Sequence, residues 1–124
     1  MKLRIKGNTL RLRLTQTEVD TIATGEVMDK TQFPGGKELV YKIVKGNEFD
    51  AQFTNDDVVL IQLPSNKVDE WASSDQVTIG FTSPLGDNEI LDIAVEKDFQ
   101  CLTERPKEDE SDMFPNPLEK HAKC

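Results

Sequence analysis

Leu10-Arg11-Leu12-Arg13-Leu14-Thr15-Gln16-Thr17-Glu18-Val19-Asp20-Thr21-Ile22-Ala23-Thr24-Gly25-Glu26-Val27 is the stretch whose reading decides the fold. Leu10, Leu12 and Leu14 alternate with polar residues, the period of a half-buried strand. Val19, Ile22 and Ala23 follow at i, i+3 and i+4, the spacing of one helix face. Between them Thr15-Gln16-Thr17-Glu18 has the S/T-x-x-E form of a capping box. The same frame returns at a constant offset of 49, as Val59, Ile61 and Leu63, then Val68, Trp71 and Ala72. The chain therefore reads as one ββαββ unit written twice.

Upstream, residues 2–6 and 9–14 read as a hairpin around Gly7-Asn8, a pair suited to a two-residue turn. That loop pairs Ile5 with Leu10 and Leu3 with Leu12, so four aliphatic residues share one face. Downstream, the helix runs from about Gln16 to Thr24, with Gly25 as the natural stop. A strand of poor alternation follows over Val27–Phe33, then the turn Pro34-Gly35-Gly36 and a strand carrying Leu39, Tyr41 and Ile43.

The second unit begins near Phe49. A three-residue loop, Asn55-Asp56-Asp57, pairs Phe53 with Val59 and Ala51 with Ile61. The second helix starts at Pro64 or Ser65 and runs to about Ser73. Trp71 lies on its apolar face, where a buried indole N–H needs an acceptor. Val77, Ile79 and Phe81 form the next strand, residues Pro84 to Asn88 a turn, and Leu91, Ile93 and Val95 the last strand.

The expected fold is α+β. Two ββαββ repeats, about 1–47 and 48–99, form a pseudo-twofold, mostly antiparallel eight-stranded barrel or a curved sheet with two short helices. Closure into a barrel removes exposed strand edges. Helices with only three apolar residues must lie on a sheet or plug a barrel end. Residues 1–99 are expected to make a single domain. Residues 100–124 read as an acidic, proline-containing tail without apolar periodicity, extended or disordered.

Charge narrows the function classes. The 124 residues carry 15 Lys and Arg against 23 Asp and Glu, a net charge of −8, which argues against a nucleic-acid partner. No apolar run approaches the ~20 residues of a membrane span. Met1-Lys2-Leu3-Arg4-Ile5-Lys6 alternates charge with aliphatic residues and is not a signal peptide. The expected location is cytoplasmic, and two cysteines give no disulfide framework.

The opening Lys2-Leu3-Arg4-Ile5-Lys6-Gly7-Asn8-Thr9-Leu10-Arg11-Leu12-Arg13-Leu14 resembles that of a family of small bacterial proteins of unknown function. The closing Glu96-Lys97-Asp98-Phe99-Gln100-Cys101-Leu102 and the acidic stretch ending in Phe114-Pro115-Asn116-Pro117 resemble the end of the same family. The resemblance implies a bacterial cytosolic protein and transfers no activity, cofactor or site.

The best local signal is basic. Lys2, Arg4, Arg11 and Arg13 lie on one face of the first hairpin, with no acid among residues 1–13. Arg4 opposite Arg11 costs stability unless compensated. Either the face binds an anion or acidic partner, or it is neutralised internally, by Asp92, Glu96 and Asp98 of the last strand or by acids of the tail. Cys101, His121 and Cys124, with Asp112, are alternative soft-metal ligands. Glu108-Asp109-Glu110-Ser111-Asp112 lacks the EF-hand pattern and reads as a solvated run. His121 is the only histidine and lies in the tail, so no His-assisted nucleophile belongs to the body. The expectation is a non-enzymatic binding or interaction module that contacts an unidentified protein partner, with no cofactor. The alternative is a metal-dependent protein or enzyme using Cys101 and tail ligands. The oligomeric state is left open, a homodimer included.

Overall fold

The computed structural model describes residues 1–99. In chain order the elements are β1 (Lys2–Lys6), β2 (Thr9–Leu14), α1 (Gln16–Ile22), β3 (Glu26–Phe33) and β4 (Lys37–Gly46). There follow β5 (Asp50–Phe53), β6 (Val58–Pro64), α2 (Ser65–Ala72), β7 (Thr78–Gly86) and β8 (Glu89–Lys97). The fold is α+β and mostly strand.

The strands form two four-stranded sheets, not a closed barrel. The first has the order β1-β2-β8-β7 and the second β3-β4-β6-β5. Each sheet combines one hairpin from each half of the chain, because each helix sends its flanking hairpins to different sheets. The hairpins are antiparallel, and the two seams that join them, β2 to β8 and β4 to β6, are parallel. Hairpin pairing is local and easily read. The seams are not, and they assemble neither the eight-stranded barrel nor the single curved sheet of the two expected arrangements, so four edges remain. β1 carries Lys2 and Lys6 at its edge, and β7 carries Pro84 with a register shift before Gly86. Both devices discourage further strand pairing.

The hairpin registers follow the apolar alternation. Ile5 faces Leu10, Leu3 faces Leu12, Ala51 faces Ile61 and Phe53 faces Val59. The turn expected over Pro84–Asn88 is shorter: β7 continues to Gly86, and Asp87-Asn88 form the turn with φ of 50° and 63°. An Asp-Asn pair tolerates the left-handed values that a I′ hairpin demands.

The inward residues of both sheets and both helices join in one core. Leu12, Leu14, Ile22, Ile43, Ile61, Leu63, Val68, Trp71, Ile93 and Val95 are wholly buried. Phe49 and Phe81 stack at 4.8 Å, joining the residue just before β5 to the first sheet. Trp71 Nε1–H donates to the Val77 carbonyl at 2.9 Å, so the indole is buried without an orphan donor.

Helix ends are secured in two ways. Thr15 Oγ1 accepts from the Glu18 N–H, and Glu18 Oε1 accepts from the Thr15 N–H, the capping box in full. Neither helix has a basic residue in its last turn. Strand-end lysines supply the cation instead: Lys45 Nζ donates to the Ala23 carbonyl at 3.1 Å, and Lys97 Nζ to the Ser74 carbonyl at 2.7 Å. Gly25 is not an immediate left-handed stop. The cap is Ala23, and Gly25 follows two residues on with φ 143°.

Candidate functional site

The four basic residues expected on one face of the first hairpin lie there, and the seam with β8 decides what surrounds them. Three rows cross the outer face of the first sheet. Lys2, Arg13, Glu96 and Thr78 form the first; Arg4, Arg11, Ala94 and Gly80 the second; Lys6, Thr9, Asp92 and Thr82 the third. Inward residues of the same strands are the core aliphatics, so alternation forces these side chains outward.

Glu96 organises the first two rows. Its Oε2 accepts from Arg11 Nη1 at 3.0 Å and its Oε1 from Arg13 Nε at 3.1 Å. The side chains of Glu96 and Arg13 are only 14% and 16% exposed, so this contact is less screened than an ordinary surface pair. Asp98, just beyond β8, meets Lys2 Nζ at 3.0 Å. The last strand and the residue after it therefore pair with Lys2, Arg11 and Arg13. Asp92 makes no ion pair among the described residues.

Two cations differ from the rest. Arg4 stands directly opposite Arg11, and Lys6 lies one row further. Neither is within ion-pair distance of a carboxylate among the described residues. Beside them the face is low, because Ala94 and Gly80 continue the Arg4 row. A Cβ built on Gly80 meets only the Ile93 carbonyl at 3.6 Å, ordinary contact, so neither space nor backbone conformation requires glycine there. Glycine inside a strand weakens it, and often marks close approach by another group.

The chain matches, over residues 1–118, the model of a family of unknown function, DUF7009. It belongs to that family. The resemblance read from the opening and closing segments thus holds across nearly the whole chain. No curated protein and no solved structure matches. The family carries no assigned activity, so no residue role is transferred from it.

Lys6 is a further cation of this face, and Ala94 and Gly80 form a floor that the hairpin pattern alone does not show. Lys6 closes the hairpin and was legible there; Ala94 and Gly80 enter only through the seam. The alternative ligands Cys101, Asp112, His121 and Cys124, and the acidic run Glu108 to Asp112, lie outside the described residues. Among the described residues no group of three or more His, Cys, Asp or Glu is placed to hold a metal ion. A cleft of about 370 Å³ lies at the sheet end, lined by Leu14, Gln16, Val19, Ala72, Lys97 and Phe99, away from the Arg4 row. Its lysine is committed to the Ser74 carbonyl. No helix among the described residues is long and apolar enough to cross a membrane.

A second charged cluster ties the sheets together. The Met1 ammonium donates to Glu18 Oε2 at 2.5 Å and to Asp29 Oδ2 at 3.1 Å. Desolvation pulls its pKa down, but the hydrogen bonds to Glu18 and Asp29 outweigh this, leaving it above the ordinary value. Asp29 is held below its ordinary value, first by the Lys30 N–H and then by the ammonium. This cluster uses its charges on one another.

Proposed function

We propose that this protein is a small non-enzymatic binding module that presents the outer face of its first sheet to an acidic protein segment. The observation that carries the reading is the pair Arg4 and Lys6, cations without a described carboxylate partner, on an otherwise paired basic face. Arg4 offers a planar donor fork for carboxylates. The low Ala94–Gly80 floor gives an extended segment room to lie across the strands. A cytoplasmic, bacterial setting is consistent with this reading. So is an internal duplication, with each sheet built from one hairpin of each half; the shared frame at an offset of 49 supports it.

Titration of the ¹⁵N-labelled full chain with a hexaglutamate peptide tests the reading. Shifts should concentrate on the backbone amides of β1, β2 and β8. Saturation should need more peptide as salt rises, because at ~0.15 M screening already acts within ~8 Å. Arg4→Gln with Lys6→Gln should lose most of the response while leaving the melting temperature within about two degrees, as expected for exposed positions. Shifts confined to the second sheet, or none, would overturn the reading.

A further inference from the structure

The basic face lies beside the end of β8. The Asp98 N–H donates to the Leu14 carbonyl at 2.9 Å, and its carboxylate meets Lys2. The chain therefore leaves β8 at the corner of the basic face, beside its first row. Residues 100–124 begin there. They carry Glu104, then the run Glu108, Asp109, Glu110 and Asp112. The family match continues to residue 118, so this acidic run is matched together with the body.

Reach and charge both suit an intramolecular contact. Glu108 is the ninth residue after Phe99. Extended chain spans up to ~3.3 Å per residue, so the run can travel roughly 30 Å. Arg4 lies two strand spacings from β8, roughly 10 Å, and one row beyond Lys2, roughly 7 Å along the strand. Lys6 is one row further. Acids nearer the exit already pair with Lys2, Arg11 and Arg13, so among the described residues the unmatched positive charge of this face sits at Arg4 and Lys6. Asp92, in the row of Lys6, limits the patch on the β8 side.

We infer that the acidic run Glu108–Asp112 of this chain occupies the Arg4–Lys6 face in the absence of a partner, and that an acidic partner must displace it. This rests on the binding reading above. A tethered segment acts at an effective concentration on the order of millimolar, so even a weak contact competes with a free ligand. The face is then self-masked: a free acidic segment binds more weakly than it would to the bare face, and a partner fills it by outcompeting the tethered run.

The test uses the full chain in three forms: the parent, a form with Glu108→Gln, Asp109→Asn, Glu110→Gln and Asp112→Asn, and that form with Arg4→Gln and Lys6→Gln added. Fluorescein-labelled hexaglutamate is the probe, followed by polarisation over a salt series. The neutralised form should bind about fivefold tighter than the parent at low salt, the factor expected when a segment at ~1 mM effective concentration competes for a site with a dissociation constant of a few tenths millimolar. The advantage should shrink toward one at high salt, and the added Arg4 and Lys6 changes should abolish it. The amide signals of Arg4, Lys6 and Arg11 should also move between the parent and the neutralised form without any probe. If parent and neutralised forms bind equally and Arg4→Gln with Lys6→Gln still abolishes binding, self-masking is wrong and the binding reading stands. If no form binds the probe, the binding reading fails. If those three amides are unmoved by neutralisation, the intramolecular contact is wrong whatever the probe does.

Discussion

Where Arg11 faces outward from the first sheet, Leu60 stands in the second; Arg13 is answered by Gln62, Arg4 by Gln52, Glu96 by Val44 and Asp92 by Val40. Each pair holds the same place in its sheet, an outward position of the outer hairpin or of the strand across the parallel seam. Inward positions differ far less: Leu12 against Ile61, Leu14 against Leu63, Val95 against Ile43, all wholly buried. The outer face of the second sheet pairs its charges in place, Lys30 with Glu38 at 3.1 Å and Lys42 with Glu26 at 3.8 Å, around a partly apolar centre of Val40, Val44, Val58 and Leu60. The first sheet gathers cations instead. A packed core restricts what its residues can be, since one methylene is felt there. A solvated face has no such restriction, so the two faces can differ while the plan stays shared.

The largest effect should come from the positions that are alike. Leu12→Ala and Ile61→Ala each remove a wholly buried aliphatic at the same place in their sheets. Each should cost about 2–5 kcal/mol in urea unfolding, through lost transfer energy and the cavity left behind. Similar losses support one core shared by both sheets. A large loss for one and a negligible loss for the other would break the comparison from the inside.

Glu96 and Val44 probe positions that differ. Glu96→Gln removes charge from a part-buried acceptor of two arginines and should cost about 1.5–2 kcal/mol, the low end of the range of hydrogen bonds to charged groups. Asp98→Asn should cost less, about 0.2–1 kcal/mol, because its partner Lys2 is 68% exposed. Val44→Thr, at the place matching Glu96, should stay near 0.5 kcal/mol. Equal losses for Glu96→Gln and Val44→Thr would mean that the paired arginines contribute nothing measurable.

The smallest effect concerns the cluster that links the sheets. The Met1 ammonium is raised in the folded state, so its contribution is full below the ordinary α-amino pKa of about 7.7–8.0 and is lost as pH rises through the folded value. Asp29 is lowered, so its contribution is present above its ordinary value of about 3.9 and is lost as pH falls through the folded value. Melting temperature should therefore show a shallow plateau between about pH 4 and 8 from this pair. Asp29→Asn should remove the acid limb and shrink the alkaline one, which Glu18 still sustains. A parent profile unchanged by that substitution would show that the tie is solvated away.

Much of the local structure is legible in particular residues. Leu3, Leu12, Ala51 and Ile61 fix the hairpin registers, because a one-residue slip would turn these core-facing aliphatics outward. Thr15 and Glu18 announce a helix start through their own hydrogen bonds. Trp71 at helical spacing predicts both its burial and its need for an acceptor, supplied by Val77. The poor alternation of β3 has its cause in an edge position, where Met28 and Phe33 remain exposed. In the basic face, Lys2, Arg4, Arg11 and Arg13 follow from alternation alone.

Tertiary structure decided which strand lies beside which. β2 meets β8 in parallel, bringing Glu96 across from Arg13 although 83 residues separate them. Nothing local selects that pairing, since every central strand offers the same apolar alternation to a seam. The choice of two open sheets over a closed barrel, the clamp at Glu96, the low floor at Ala94 and Gly80, and the isolation of Arg4 and Lys6 among the described residues all descend from that one non-local decision. The sequence by itself determined the strands, helices and faces, because short-range sterics and burial period govern them. How those faces were assembled was settled by packing two hairpins from distant parts of the chain around one core.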